Sequence, residues 1–117
     1  MKKLFTLLAL TLSFSVNAQM SDNSVGTSAT GSNAVAMGND TTASGYTSTA
    51  MGSHTTASGG RSTSMGSITT ASGSRSTAMG EETTASGYAS TALGYRTTAS
   101  GDFSTAMGYL SIASGKY

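Results

Sequence analysis

The sequence of 117 residues contains no cysteine, no proline and no tryptophan, and only 9% of its residues are charged. Without cysteine the chain forms no disulfide, no thiolate metal site and no cysteine nucleophile. Its formal net charge of +1 is too small to predict a nucleic-acid partner. Valine, isoleucine, leucine, methionine and phenylalanine together occupy only 13 positions of residues 19–117. A closed globular core cannot be built from so few, because ordering each residue costs about 1–2 kcal/mol.

The N-terminal segment, residues 1–18, has the pattern of a secretory signal peptide. A basic start at residues 2–3 precedes an apolar run over residues 4–14, and small residues precede an expected cleavage between Ala18 and Gln19. The run is shorter than the about 20 apolar residues that a membrane-spanning helix needs. The sequence therefore predicts an exported chain, secreted or on the cell surface. Its mature part has four basic and five acidic side chains.

Glycine recurs at every seventh position through most of the remaining sequence. The glycines of this lattice, to which we assign a structural role in turns, are Gly31, Gly38, Gly45, Gly52, Gly59, Gly66, Gly73, Gly80, Gly87, Gly94, Gly101, Gly108 and Gly115. The residues before them alternate between Ala-Met and Ala-Ser forms, so the true repeat spans two glycine intervals and is a 14-residue unit. A fixed period is the signature of a solenoid, in which stacked units share one core. Residues 31–117 are therefore predicted to form a solenoid, and residues 19–30 a lead-in with a degraded half-repeat.

A seven-residue period is also typical of coiled coils, but that interpretation fails here. A coiled coil needs two large apolar residues in each heptad, whereas this repeat has an obligatory glycine, which costs about 1 kcal/mol in a helix. Disorder, the alternative for a low-complexity composition, does not explain why alanine, methionine and glycine keep their register. Short threonine-rich segments between glycine turns instead predict two strands per coil and an all-β, parallel β-solenoid, or β-roll, of 14-residue coils.

Side chains alternate between the two faces of a strand, which predicts those that face the inside of the coil. We expect the larger apolar side chains to fill the interior: Val35, Met37, Met51, Met65, Met79, Leu93, Met107 and Ile112. The alanine columns, one of which contains Ala50, Ala78 and Ala92, are expected to face outward, where small methyl groups suit packing between chains. A coil that buries about one methionine cannot offset the ordering of its residues, so more than one chain is predicted.

No arrangement of residues typical of an enzyme or a metal site is found in the sequence. The single histidine, His54, has no second histidine or cysteine with which to bind a metal. Glu81 and Glu82 form a paired carboxylate, but other coils have unrelated residues at that turn, which favours a solvated turn charge. The sequence predicts a non-enzymatic protein without a cofactor, a metal or a nucleic-acid partner.

Sequence variation is concentrated in the two residues that follow each lattice glycine, where nearly every aromatic and charged residue of the mature chain lies. Tyrosine and arginine are enriched at binding hot spots. The candidate ligand-contact residues are therefore Tyr46, Arg61, Arg75, Tyr88, Tyr95, Arg96, Phe103 and Tyr109. The alternative is that these turns tolerate any side chain, and the sequence alone does not decide between the two.

Over residues 24–117 the repeats resemble the heads of trimeric autotransporter adhesins, the YadA-like family. The family motif Asn-Ser-Val-Ala-Ile-Gly is similar to Asn-Ala-Val-Ala-Met-Gly at residues 33–38, and the later units Ser-Thr-Ala-Met-Gly and Ser-Thr-Ala-Leu-Gly look like variants. The resemblance implies a left-handed parallel β-roll, a homotrimer, and attachment of a Gram-negative cell to host or matrix ligands. Members of the family also carry a neck, a coiled-coil stalk and a membrane anchor. None of these is recognised here, so we expect the anchor to lie outside this chain.

Two functions are consistent with these observations. The first is a non-enzymatic adhesin head or surface-fibre segment that binds an extracellular protein or glycan. The second is an ice-binding solenoid, suggested by a regular column of threonines expected to face outward: Thr41, Thr55, Thr69, Thr83 and Thr97. The second is the weaker, because the neighbours of this column on the same face are alanines rather than a second rank of threonines.

Overall fold

The computed structural model describes residues 19–21 and 26–117, and all regular structure in these residues is β-strand. The signal peptide over residues 1–18 lies outside the described residues and stays a prediction. The strands are β1 Gln19–Ser21, β2 Ser28–Ala29, β3 Ala34–Asn39, β4 Thr42–Ala43, β5 Thr49–Ser53, β6 Thr56–Ala57, β7 Thr63–Ser67, β8 Thr70–Ala71, β9 Thr77–Glu81, β10 Thr84–Ala85, β11 Thr91–Tyr95, β12 Thr98–Ala99, β13 Thr105–Tyr109 and β14 Ile112–Ala113. From β3 onward, each repeat therefore contains one long and one short strand.

The strands form two parallel seven-stranded sheets. One sheet contains the odd-numbered strands and the other the even-numbered strands, each in chain order. Neighbouring strands are shifted by one repeat, so that Thr49 lies beside Thr63 and Thr56 beside Thr70. Each turn of the chain therefore completes one 14-residue coil, which confirms the all-β, parallel β-solenoid predicted from the glycine period. The lead-in takes part in the fold, because β1 pairs with β3.

The interior of the coil is the reverse of the one predicted from the sequence. Alanines point inward, and the buried ones are Ala29, Ala34, Ala36, Ala43, Ala50, Ala57, Ala71, Ala78, Ala85, Ala92, Ala99 and Ala106. The residues predicted to be interior are instead half-buried or exposed: Val35, Met37, Met51, Met65, Met79, Leu93, Met107 and Ile112. The exposed fraction reaches 60% for Met107 and 75% for Ile112. The alternation along each strand was predicted correctly, but its phase was wrong.

The width of the coil explains this inversion. Apart from alanine and glycine, the buried side chains in residues 26–117 are serines and threonines: Thr41, Ser48, Thr55, Ser62, Ser64, Thr69, Ser76, Thr83, Ser90, Thr97 and Ser104. Threonine is the largest side chain that is fully buried, so the space between the two strands of a coil accepts only small side chains. A methionine in that space would force the sheets apart, because protein interiors have little free volume.

The lattice glycines are required because consecutive coils touch backbone to backbone at the turns. A Cβ atom at Gly73 would lie 2.0 Å from the carbonyl oxygen of Gly87, although the φ angle of Gly73 is outside the left-handed region. Gly52 has the same contact, 2.0 Å to the Gly66 oxygen, together with a φ of +126°. Gly60 lies off the lattice, and a Cβ atom there would meet nothing closer than 3.8 Å. The lattice glycines are therefore explained by the close approach of consecutive coils, and at alternate positions also by a positive φ angle.

The threonine hydroxyls inside the coil are mostly unpaired. Thr69 is the exception, because its Oγ1 lies 2.7 Å from Ser64 Oγ. In the other coils alanine replaces Ser64. The column members whose hydroxyls have no hydrogen-bond partner are Thr41, Thr55, Thr83 and Thr97. A buried, unpaired hydroxyl costs about 1–3 kcal/mol, so these four threonines contribute to the interior through the shape of their stiff β-branched side chains rather than through hydrogen bonding.

The glycine contacts predict that Gly73→Ala destabilises the fold far more than Gly60→Ala. At residue 73 the added Cβ atom meets rigid backbone of the next coil, and the free energy of unfolding should fall by about 3–5 kcal/mol. At residue 60 the space is open, and the change should stay within about 0.5 kcal/mol. Chemical denaturation followed by circular dichroism measures both values. Equal losses would contradict the steric role of the lattice.

Replacing Thr69 or Thr83 by valine, which keeps the shape of the side chain, tests the interior hydroxyls. Thr69→Val leaves the Ser64 hydroxyl buried and unpaired, and should lower the free energy of unfolding by about 1–2 kcal/mol. Thr83→Val removes a hydroxyl that is already unpaired, and should leave stability unchanged or raise it. The midpoints of thermal unfolding compare the two variants. A loss in Thr83→Val as large as that in Thr69→Val contradicts the hydrogen bond assigned to Ser64.

Candidate functional site: two turn edges and an apolar face

The turns at the two ends of each coil form two parallel edges along the solenoid, which we name by their charge. The basic edge contains the turns after Gly31 and after the six Ala-Ser-Gly glycines: residues 32–33, 46–47, 60–61, 74–75, 88–89, 102–103 and 116–117. The acidic edge contains the turns after the other lattice glycines: residues 39–40, 53–54, 67–68, 81–82, 95–96 and 109–110. The two edges lie on opposite sides of the coil, because each follows a different strand.

The backbone of the turns holds their side chains in register from coil to coil. The second residue of each basic-edge pair has a positive φ, from 49° at Thr47 to 67° at Tyr117. Its N–H donates to a carbonyl of the preceding coil, as from Arg61 to Tyr46 at 2.6 Å. Equivalent turn positions therefore follow the strand spacing of about 4.8 Å, and side chains from consecutive coils can contact each other.

On the basic edge, arginines contact aromatic rings of neighbouring coils. The Arg61 guanidinium lies 5.7 Å from the centroid of the Tyr46 ring. The Arg75 guanidinium lies 5.3 Å from the centroid of the Tyr88 ring, and its Nη1 donates to the Tyr88 hydroxyl. Such cation–π contacts contribute about 0.5–1 kcal/mol each at exposed sites. They fix the direction of each arginine along the edge.

The aromatic contacts of the basic edge continue toward the last coil. The centroids of Tyr88 and Phe103 are 5.4 Å apart in an edge-to-face arrangement, and Phe103 stacks on Tyr117 at 5.8 Å. The Asp102 carboxylate accepts a hydrogen bond from the Tyr88 backbone N–H at 2.9 Å. Tyr46, Phe103 and Tyr117 are 53%, 52% and 93% exposed. The edge therefore presents aromatic rings to solvent on both sides of its two arginines.

The acidic edge is organised around an ion pair. Arg96 donates from Nε to Glu82 Oε2 at 2.7 Å and from Nη2 to Oε1 at 3.3 Å. The same guanidinium lies 5.1 Å from the centroid of the Tyr95 ring, and Tyr95 stacks on Tyr109 at 5.5 Å. With Asp40, Glu81 and Glu82 against Arg96, this edge is acidic at neutral pH. Its tyrosines and its arginine form a self-contained cluster.

The ion pair shifts the pKa values of both partners. The hydrogen bond from Arg96 lowers the pKa of the Glu82 carboxyl, and the same bond raises the pKa of the Arg96 guanidinium. Because the pKa of Glu82 is lowered, the pair is intact at neutral pH and is lost only as the pH falls through that lowered value. The charge of Arg96 is thus compensated. Within residues 26–117, Arg61 and Arg75 have no ion-pair partner.

The structure distributes the candidate contact residues over both edges, so they do not form one site. Those on the basic edge are Tyr46, Arg61, Arg75, Tyr88 and Phe103, and those on the acidic edge are Tyr95, Arg96 and Tyr109. Gly60, Ser74 and Tyr117 also belong to the basic edge and were not singled out from the sequence. The 14-residue period was the signal that could have separated the two edges, because residues one period apart lie on the same edge.

A third surface is the outward side of the sheet of odd-numbered strands, which we call the methionine face. One large apolar residue from each strand between β3 and β13 lies on it: Met37, Met51, Met65, Met79, Leu93 and Met107. Val35 of β3 points to the same side. Register pairing places Met51 beside Met65 and Met65 beside Met79, so the strip is continuous. A contiguous apolar strip that is partly exposed is typical of surfaces that bind another protein.

In the described part of the chain, no group of three or more histidine, aspartate or glutamate residues could hold a metal ion. His54 lies on the acidic edge, with Nε2 3.6 Å from an Asp40 oxygen and Nδ1 2.9 Å from Ser53 Oγ. None of the described segments forms a helix that is long and apolar enough to cross a membrane.

Comparison with known proteins agrees with this geometry. The family described as "YadA head domain repeat (2 copies)" matches residues 29–55, 57–83, 85–111 and 99–117. No curated protein sequence matches the chain. The matched residues extend from the end of β2 beyond β14, and so include almost every coil described above. The family model matches well over half of the sequence, and the 14-residue coils fit its repeats. The chain therefore belongs to the YadA head domain family.

Proposed function

We propose that the chain is a non-enzymatic segment of an adhesin head that attaches cells to host, matrix or cell-surface ligands as an assembly of three copies. YadA head domains belong to surface-exposed autotransporter adhesins of Gram-negative bacteria, and the family is associated with adhesion. The predicted signal peptide supports export of the chain. The number three rests on the resemblance to trimeric relatives.

The methionine face is the observation that carries the assembly. In the single chain Met37 is 36% exposed and Met107 is 60% exposed. Burial of a fully exposed methionine contributes about 1.5–3 kcal/mol, and each coil can still gain the part of this that its half-buried or exposed side chain has left. The alanine and serine side chains inside the coil bury much less apolar area per residue. Most of the available hydrophobic stabilisation therefore lies on this face, where only another chain can use it.

Self-association through the methionine face leaves the rest of the surface for ligands. The basic edge lies outside the odd-numbered strands, whereas the acidic edge begins with the last residue of each of them, such as Glu81 and Tyr95. The even-numbered strands form the opposite sheet. A trimer would therefore present three copies of the basic edge to the surroundings. Repetition of a weak site in one particle raises its apparent affinity, since the second contact becomes intramolecular.

The double variant Met65→Glu, Met79→Glu should dissociate the assembly, because it places carboxylates in the apolar interface. The matched control is Thr70→Glu, Thr84→Glu, which alters outward positions of the opposite sheet in the neighbouring strands β8 and β10. Analytical ultracentrifugation should find the first variant monomeric, with reduced β-structure by circular dichroism, and the control trimeric. A stable, folded monomer of the unchanged chain contradicts the proposal.

The same proteins test adhesion. Microspheres coated with the unchanged protein or with the Thr70→Glu, Thr84→Glu control should remain on a cell monolayer or a matrix-coated surface after washing. Beads coated with the methionine variant should be removed, because they present single, less ordered chains. Retention no better than that of albumin-coated beads would count against an adhesive role.

Ice binding is the second candidate, and the structure changes its basis. The column predicted to face outward is buried, so it cannot contact ice: Thr41, Thr55, Thr69, Thr83 and Thr97. The outward hydroxyls of the even-numbered strands are different ones, a half-buried rank of Thr42, Thr56, Thr70, Thr84 and Thr98 beside an exposed rank of Ser44, Ser58, Ser72, Ser86 and Ser100. These two regular ranks of outward hydroxyl groups are the observation that supports ice binding as a second candidate function.

We place ice binding second because one of the two ranks is serine, which lacks the methyl group of threonine. The unchanged protein is therefore expected to show no thermal hysteresis and no shaping of ice crystals. Clear ice shaping that is lost in the Thr70→Glu, Thr84→Glu variant would reverse the order of the two candidates.

A further inference from the structure

We propose that the basic edge binds a linear anionic polysaccharide at the turns of residues 60–61 and 74–75. The ligand is a chain of sugar rings that bear carboxylate or sulfate groups. The inference rests on the proposed adhesive function, to which it adds a site and a ligand class. It is carried by the order of side chains along the edge, by two uncompensated charges, and by exposed aromatic rings.

The side chains around these two turns have a mirror-like order along the edge. Arg61 leans back onto Tyr46 of the preceding coil, with 5.7 Å between the guanidinium and the ring centroid. Arg75 leans forward onto Tyr88 of the following coil, with 5.3 Å between the corresponding groups. The two arginines therefore point away from each other, and each is held by an aromatic ring on its far side.

Small residues form the surface between the two arginines. A Cβ atom at Gly60 would have only Ser74 Oγ within 4 Å, at 3.8 Å, so the space above Gly60 is open. Ser74 Oγ donates to the Gly60 carbonyl at 3.3 Å. A group that arrives from solvent can therefore approach the backbone here, between the two turns from which the arginines diverge.

The charges of Arg61 and Arg75 are uncompensated. The two residues occupy equivalent turn positions of adjacent coils, where like charges destabilise each other. Among residues 26–117 neither has a carboxylate within ion-pair distance, and the Asp102 carboxylate accepts a backbone hydrogen bond elsewhere on the edge. Anionic groups spaced along one polymer would each compensate one arginine, because a guanidinium offers paired N–H donors that match a carboxylate or a similar group.

The exposed rings favour a sugar polymer over an acidic peptide. Tyr46 and Phe103, on either side of the arginines, are 53% and 52% exposed, and Tyr117 beyond them is 93% exposed. A flat aromatic face packs against the apolar C–H face of a sugar ring, while the charged group of the sugar reaches an arginine. Because rings and cations follow one line along the edge, the ligand is extended. A nucleic acid would require many more basic residues than this edge provides.

Binding of the full chain to immobilised heparin, a sulfated uronate polymer, at low ionic strength tests the proposal. The variant Arg61→Gln, Arg75→Gln should bind heparin at least about tenfold more weakly than the unchanged protein, because two charge-assisted contacts are lost. Arg96→Gln is the matched control, since it removes the arginine of the opposite edge. It should bind as the unchanged protein does, and circular dichroism shows whether all variants fold equally.

Further polymers identify the anionic group and the class of ligand. Alginate carries only carboxylates, dextran sulfate only sulfates, and dextran no charge. Binding to alginate or dextran sulfate but not to dextran supports the proposal and names the group. Binding to poly-glutamate that is tighter than to every polysaccharide overturns it in favour of an acidic peptide.

Two results would overturn the assignment of the site. One is an equal loss of heparin binding in Arg96→Gln and in the basic-edge variant, and the other is no binding to any anionic polysaccharide. The bead assay separates this failure from failure of the adhesive function. Beads coated with the Arg61→Gln, Arg75→Gln variant that adhere as well as the unchanged protein would exclude this site while leaving adhesion intact.

Discussion

The close approach of consecutive coils at the glycine positions is the constraint on which the rest of the structure depends. The backbone of Gly73 lies so near that of Gly87 that a single added Cβ atom would overlap the carbonyl oxygen at 2.0 Å. With coils this close, hydrogen bonds join them in both sheets and also at both turns. Residues one period apart therefore stack in columns, and each column has a single environment. The interior, the methionine face and the two turn edges are each built from such columns.

The narrow coil separates stabilisation into two parts. Inside, Ala78 and Thr83 fill space but bury little apolar area, and the Thr83 hydroxyl has no partner. Outside, Met65 and Met79 form a continuous strip that a single chain leaves partly in water. A repeat stack gains stability only from contacts between neighbouring units. In the assembly proposed above, a chain with so small an interior would gain most of its stabilisation from contacts between chains, and folding and assembly would be linked events.

Much of this fold was predictable because glycine spacing directly reflects the stacking distance. The seven-residue lattice, the 14-residue coil and the parallel strands all followed from it. The side of the strand that faces inward did not, because alternation alone is compatible with either phase. The phase depends on the width of the coil, and the exclusively small residues of the alanine column were its unrecognised signal. Ser64 replaces alanine there, whereas the outward columns contain Val35 and Leu93 as well as methionine.

The two edges were predictable only in part. The 14-residue period could assign Tyr46 and Arg96 to different edges, but the directions of the cation–π contacts depend on side-chain rotamers that no spacing encodes.

The turns are where this solenoid can change without disturbing its stack. Their backbone hydrogen bonds hold non-glycine residues such as Arg61 at positive φ whatever the side chain is, so neither edge constrains its own sequence strongly. Tolerance by itself would leave charges distributed at random. Instead Arg96 is paired with Glu82 on one edge, while Arg61 and Arg75 stand one coil apart on the other, each turned toward an aromatic ring and away from its like-charged neighbour. Anionic groups along one extended ligand would compensate these two charges one by one, which is the physical reason to test the basic edge for the ligand proposed above.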